Sequence, residues 1–309
     1  MIGYFVRRNM IRSWAAVRKE DEARLAGQTL APSVAADANL AYVDDGDPMH
    51  LLDVYYPSGA TGLLPTIVDI HGGGWMHGDK DLHRHYGYSL AAHGFAVVNV
   101  SYRLLPRTDL RGQVQDLFAV LHWLERHGAE HHCDLSRMYV CGDSAGGHLA
   151  GLTACTQLNP ELQAAYGVRP AGLDIKAIGI GHGMCELSDF QRVSKALGAG
   201  DRLYKEMFKM FFGRKPERAP WYGKASFTET AEGLALPPVF LVSSEVDPLH
   251  KAHAVALAEY LEKRKLPYRT KFWTKEQGER LGHVFHVSYP EWPESQETNR
   301  EMLDFFLQY

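Results

Sequence analysis

The chain has 309 residues, 45% of them hydrophobic, 23% charged and 11% aromatic, with a formal net charge of −4. That is enough apolar material to cover both faces of a large sheet, so one core with a smaller accessory part is expected rather than two equal domains. The slightly negative balance, with no long basic run, gives no electrostatic case for nucleic acid.

At the N-terminus, Val6, Met10, Trp14 and Val17 recur at helical spacing with Arg7, Arg8, Arg12 and Arg18 between them. This pattern predicts an amphipathic helix. It lacks a continuous apolar stretch and a small-residue cleavage site, so neither a signal peptide nor stable membrane insertion is expected. The apolar stripe is read as packing on its own protein in preference to a membrane surface, and a cytoplasmic location is expected. Residues 1–36 are assigned to an N-terminal helical cap segment. Residues 37–309 are assigned to the core, with a cap insertion at about 183–236.

Further along, β-rich apolar runs alternate with helical patterns. The predicted strands are Leu40–Val43, Leu51–Tyr56, Thr66–Ile70, Ala96–Val100, Met138–Cys141, Ala177–Ile180, Val239–Val242 and Tyr268–Phe272. The predicted helices are Leu82–Ala92, Leu110–His127, Ala145–Leu158 and Ala252–Lys265. Runs such as PTIVDIHGG, FAVVNVSY and PVFLVSSEVD are nearly continuously apolar, as central strands buried on both faces must be. The alternation predicts an α/β fold: a mostly parallel, doubly wound sheet of about eight strands with right-handed crossovers. Ligand sites in such sheets lie outside the carboxyl ends of the strands, so a polar motif directly after a strand is well placed for chemistry.

The stretch from His182 to Leu236 breaks this rhythm. It carries Phe190, Leu203, Tyr204, Met207, Phe208, Met210, Phe211, Phe212, Trp221 and Tyr222, too aromatic for a solvated loop and too long for a simple crossover. A small helical cap over the site is expected, with Phe208 and Phe211, together with Trp75, as substrate contacts.

The four cysteines, Cys133, Cys141, Cys155 and Cys185, form no C-x-x-C pair and read as reduced thiols. Sixteen histidines, including His83/His85 and His131/His132, occur without an H-E-x-x-H or paired Cys/His framework, so no metal site is assigned.

Three motifs carry chemistry. The strand MYVCG runs into Gly142-Asp143-Ser144-Ala145-Gly146-Gly147 and then into a helical pattern, the strand–turn–helix setting of G-x-S-x-G. Ser144 is thereby aimed from the top of the sheet as a nucleophile, with a helix N-terminus behind it favouring negative charge. The run His71-Gly72-Gly73-Gly74-Trp75 follows the strand TIVDI. Its backbone amides can approach an oxyanion closely, and Gly73, Gly74 and Ala145 are the candidate donors, with the Trp75 N–H as a substitute for one of them. A phosphate cradle is disfavoured because the Lys-Ser/Thr of a P-loop is missing. Third, a serine hydroxyl needs a base, and the base needs an orienting carboxylate, in the order Ser…Asp/Glu…His. Asp247, ending FLVSSEVD, and His283, after TKEQGERLG, satisfy this order. Glu245 and His286 are the rivals, Asp247 being preferred for the Pro248 beside it and His283 for the turn that Gly282 permits. His71 is read as a brace of the glycine loop and Asp143 as a local hydrogen-bond anchor.

HGGGW, the SYRLLP stretch from Ser101, GDSAGGHLA and the DPL/GH pair together resemble the alpha/beta-hydrolase carboxylesterases related to hormone-sensitive lipase and bacterial acetyl or feruloyl esterases. The similarity runs from Leu51 to the C-terminus; Trp75 after the glycines and Leu105 in place of the usual Ala depart from the commonest pattern. The resemblance implies an alpha/beta-hydrolase fold with an N-terminal and an inserted cap. It also implies a serine carboxylesterase acting on short-chain acyl esters through an acyl-enzyme, with acetylated or feruloylated carbohydrate among the candidate substrates. A small-molecule ester is thus the expected partner, no cofactor is called for, and a homo-oligomer is compatible with the sequence. The alternatives are an amidase of the kynurenine-formamidase-like type and a non-catalytic binding protein on the same fold.

Overall fold

The apolar runs of the sequence become the centre of an eight-stranded sheet. The computed structural model describes residues 2–187 and 200–309. In chain order the strands are β1 (Val34–Ala41), β2 (Leu51–Pro57), β3 (Leu64–Ile70), β4 (Ala96–Val100), β5 (Cys133–Asp143), β6 (Ile175–Gly181), β7 (Val239–Ser244) and β8 (Tyr268–Trp273). Their spatial order is β1-β2-β4-β3-β5-β6-β7-β8. The β1/β2 and β2/β4 pairs are antiparallel and all later pairs parallel.

One expected strand is displaced. In place of a strand at Leu40–Val43, β1 occupies Val34–Ala41 as the edge of the sheet. The segment VAADANLA is half exposed and its register shifts between Asp37 and Leu40, so it has no continuous apolar run by which to be recognised. Residue 36 lies within β1, and the N-terminal helix α1 (Ile2–Ala26) precedes the sheet.

Alternate residues of the buried strands feed two apolar layers. Ile67, Val97, Tyr139 and Val242 face one side, beneath α2 (Arg84–Ala91) and the C-terminal helix Pro293–Phe306. Val68, Val98, Val140 and Leu241 face the other, beneath α3 (Leu110–His127) and α4 (Ala145–Leu158). Each such fully buried aliphatic side chain contributes roughly 1.5–3 kcal/mol. Helix α3 is typical of the rest: Asp109 caps the Gly112 amide, Val114, Leu117, Leu121 and Leu124 form its buried stripe, and Arg126 and His127 meet the C-terminal dipole. A short helix, α5 (Pro160–Tyr166), follows α4.

The aromatic excursion supplies α6 (Gly200–Phe212). Met207, Met210, Phe211, Phe212 and Trp221 are buried in the same apolar cluster as the sheet, so these residues pack as part of the main core. Phe190 lies outside the described residues. Helix α1 meets α6 through the Arg7–Glu206 ion pair at 3.1 Å. Among the described residues no helix is long and apolar enough to cross a membrane.

Candidate active site

At the end of β5 the chain turns through Ser144 at φ 50°, ψ −116° and enters α4 one residue later. A non-glycine residue at positive φ is strained and needs support from its surroundings. Here the Ser144 N–H donates to Gly181 O at 2.8 Å, and Ser144 O accepts from Met184 N at 3.0 Å. The flanking glycines answer to crowding: a Cβ on Gly146 would stand 1.9 Å from Ile70 O, and one on Gly142 2.5 Å from the Gly146 backbone. The turn closes only without those side chains.

The glycine loop follows β3, next to β5 in the sheet. Gly73 and Gly74 sit at φ +102° and +58°, and their amides, like that of Ala145, donate to no acceptor among the described residues. Asp143 ties this loop to the serine turn: the Gly72 N–H donates to Asp143 Oδ1 at 2.7 Å. His71 braces the loop from within, with Nδ1 on Gly72 O at 2.8 Å and its ring stacked on Tyr102. The Tyr102 hydroxyl donates to His71 O at 2.7 Å.

The acid and base arrive from two other strand ends. Asp247 follows β7 and His283 follows β8. His283 Nε2 lies 2.9 Å from Ser144 Oγ, and His283 Nδ1 lies 2.9 Å from Asp247 Oδ2. Asp247 Oδ1 accepts the Leu249 amide at 2.8 Å. Of the rivals, Glu245 is exposed and accepts the Lys275 amide. His286 is buried and stacked on His182 at 5.5 Å. The strained residue of the base loop is Val284, at φ +54°, rather than Gly282.

His182 was not anticipated. Placed directly after β6, its Nδ1 lies 2.6 Å from Asp247 Oδ2, the oxygen that His283 also uses. The only signal in the sequence is a polar residue at a strand's carboxyl end, where the aromatic stretch begins. Burial works against ionisation of Asp247, but the hydrogen bonds from His182 and His283 outweigh it and hold its carboxyl well below the usual range. His182 itself is moved down, by burial first.

Behind the serine turn lies a buried charge cluster. His83 bridges Asp69 (Nδ1–Oδ2, 2.9 Å) and Asp143 (Nε2–Oδ1, 3.1 Å). Burial would lower the His83 pKa, yet the two carboxylates raise it to about 10. Burial likewise opposes the charge on Asp143, and the attraction and hydrogen bond of His83 bring its pKa to about 2.

Two chambers open onto Ser144 and His283. The larger, about 740 Å³, is walled by Met10 and Trp14 of α1, Gly74 and Trp75 of the glycine loop, and Leu203 and Met207 of α6. The smaller, about 220 Å³, has more polar walls, including Asp21, His77, His83 and Asp143. Trp14 borders both. Its ring stacks on His77 at 5.1 Å, and His77 Nε2 pairs with Asp21 Oδ2 at 3.0 Å.

The expected substrate contacts need correction. Phe211 is fully buried edge-on to Trp75, and Phe208 packs on Tyr204 and Phe212; neither is in a chamber wall. Leu203, Met207 and Phe211 share one stripe of α6 at i, i+4 spacing, but the last turn passes below the chamber into the core. Phe208 is rotated about 100° off that stripe. Trp75 does reach the wall, though its ring is anchored inward by Nε1 donating to His148 Nδ1 at 3.2 Å. Among the described residues, the one group of three prospective metal donors within 4.8 Å of one another is His182, Asp247 and His283. Their facing atoms are already engaged in the hydrogen bonds above.

The BD-FAE family model matches residues 52–261. Esterase B from Lactobacillus rhamnosis has a similar solved structure, at 36% identity and TM-score 0.92, with 98% of this chain and 95% of that chain covered. The same esterase, also solved inhibited by a C4-C4 SN3 tributyrin phosphonate, aligns at 35% identity and TM-score 0.91, covering 98% of this chain and 94% of that chain. Carboxylesterase NlhH of Mycobacterium tuberculosis is 39% identical over 102 residues, which is 33% of this chain and 32% of NlhH. The match thus spans about a third of that curated relative's length. An acetyl esterase of Salmonella paratyphi A is 29% identical over 192 residues, 60% of this chain and 55% of that protein.

Proposed function

The chain belongs to the BD-FAE family, and on that premise we propose that it is a serine carboxylesterase cleaving short-chain acyl esters through an acyl-enzyme. The observation that carries this reading is the hydrogen-bonded line Ser144 Oγ–His283–Asp247, with 2.9 Å at both links, at the mouth of two chambers.

In the proposed mechanism His283 takes the Ser144 proton as Oγ attacks the ester carbonyl. The amides of Gly73, Gly74 and Ala145 hold the oxyanion. His283 then protonates the leaving alcohol and activates the water that releases the acid. Asp247 stays ionised and fixes the imidazole tautomer. The ester lies across Ser144 with one half on either side of Trp14. The tributyrin phosphonate of the Lactobacillus esterase supports a short acyl chain. An acetylated or feruloylated carbohydrate belongs to the same proposal. A cytoplasmic location rests on four buried free thiols.

Ser144→Ala should abolish turnover of p-nitrophenyl acetate and butyrate while leaving the thermal melt intact. Turnover persisting in that variant would reject the nucleophile. Matched aryl acylamides, tested beside the esters, should react far more slowly; the opposite ranking would favour an amidase.

A further inference from the structure

We infer that His182 is a second, non-titrating imidazole partner of Asp247 that positions the acid for His283. The inference rests on the reading of Ser144, His283 and Asp247 given above. Two imidazoles converge on one carboxylate oxygen: His182 Nδ1 at 2.6 Å and His283 Nδ1 at 2.9 Å from Asp247 Oδ2. With the Leu249 amide on Oδ1, the carboxylate accepts three hydrogen bonds.

The two histidines differ in surroundings. The His182 side chain is fully buried, whereas that of His283 is 34% exposed. His182 Nε2 is buried and has no partner among the described residues. A protonated His182 would leave a buried N–H there without an acceptor. An ionised carboxylate only accepts, so its neighbour must donate from Nδ1. Both constraints select one species: neutral His182 with its proton on Nδ1. Its ring is held by His286, stacked at 5.5 Å, and by Phe285, edge-on at 5.7 Å.

The consequence for reactivity follows from the shared oxygen. His182 locks the carboxylate rotamer, which keeps Oδ2 aimed at His283. By donating to that oxygen it also withdraws some of the charge that favours protonation of His283. The further titratable groups facing this cluster are Asp143, His83, His286 and His250.

The test is a pair of variants. His182→Phe keeps a flat ring and removes the donor. His182→Asn places an amide N–H near the former Nδ1, and Asn tolerates the positive φ of 51° found here. In His182→Phe, kcat should fall by roughly tenfold with KM little changed, and the acidic limb of the kcat/KM profile should move up by about half a unit. His182→Asn should recover most of both. A folded His182→Phe with wild-type kcat and pH profile would overturn the role, as would equal loss in both variants. ¹⁵N-histidine NMR of the unmodified protein reads the same assignment without any variant folding or any turnover. His182 should remain the neutral Nδ1–H tautomer from pH 5 to 8, and a protonated or Nε2–H form would overturn it. Loss of activity in Ser144→Ala bears on the esterase reading alone, and the His182 tautomer on this inference alone.

Discussion

Trp14 lies directly over Gly74: a Cβ added to that glycine would stand 2.6 Å from Trp14 Cζ2. A residue of the N-terminal helix thereby touches the loop that borders Ser144 and stands in the walls of both chambers. Trp14→Ala should merge them. For a p-nitrophenyl ester series, kcat/KM for hexanoate relative to acetate should rise by roughly fivefold or more, since even one methylene in an apolar pocket is worth about 1–3 kcal/mol. A chain-length profile identical to that of the unaltered protein would remove Trp14 as the divider.

Gly72 and Gly282 offer a contrast. A Cβ on Gly72 would lie 2.5 Å from Asp143 Oδ2 and 2.9 Å from Asp143 O, whereas one on Gly282 meets nothing within 4 Å. Gly72→Ala must push the glycine loop away from the serine turn. Misplacement of this kind lowers kcat by about a hundredfold, and overpacking destabilises by roughly 1–3 kcal/mol. Gly282→Ala should behave as the parent in steady-state kinetics and in thermal melts. Similar behaviour of the two variants would contradict the packing described here.

Stability should peak near neutral pH and decline on both sides. His148 and His286 are buried, and burial lowers their pKa to about 4 and about 3. Below about 6.5 the unfolded chain binds protons that the folded one refuses, so stability falls as pH drops towards 4, by up to about 1.4 kcal/mol per unit for each group. His83, raised to about 10, acts in the opposite direction: its contribution is complete below about 6.5 and fades as pH rises through 10. Asp143, lowered to about 2, keeps its contribution above about 4 and loses it only as pH falls through 2. Urea unfolding at a series of pH values checks this. His83→Gln should flatten the alkaline decline, and an unchanged decline would show that His83 does not cause it.

Specificity should reside in one face of α6. Met207→Ala enlarges the chamber and should change relative kcat/KM among acyl chains. Phe208→Ala should lower the melting temperature without moving those ratios. A kinetic effect confined to Phe208 would reverse the assignment of the helix face.

Much of this was legible beforehand. The parallel centre of the sheet could be read because strands buried on both faces must be almost wholly apolar, as Ile67–Val68 and Val97–Val98 are. Ser144, Asp247 and His283 could be singled out because glycine crowding and strand-end placement leave local marks. The edge strand β1 could not, since half its residues meet water and its pattern resembles a loop. The face of α6 that reaches the chamber was equally hidden, because Met207 and Phe211 are both apolar and only depth separates them.

The sequence by itself determined a doubly wound sheet, a strained serine turn and the order in which nucleophile, acid and base appear, because each leaves a local mark along the chain: a wholly apolar run, crowded glycines, or a polar residue at a strand end. Only the tertiary structure decided that Asp247 Oδ2 is shared by two imidazoles, that Trp14 borders both chambers, and that Asp143 and His83 form a buried pair. These join residues 36 or more positions apart, and no local pattern of hydrophobicity or turn chemistry records such a meeting.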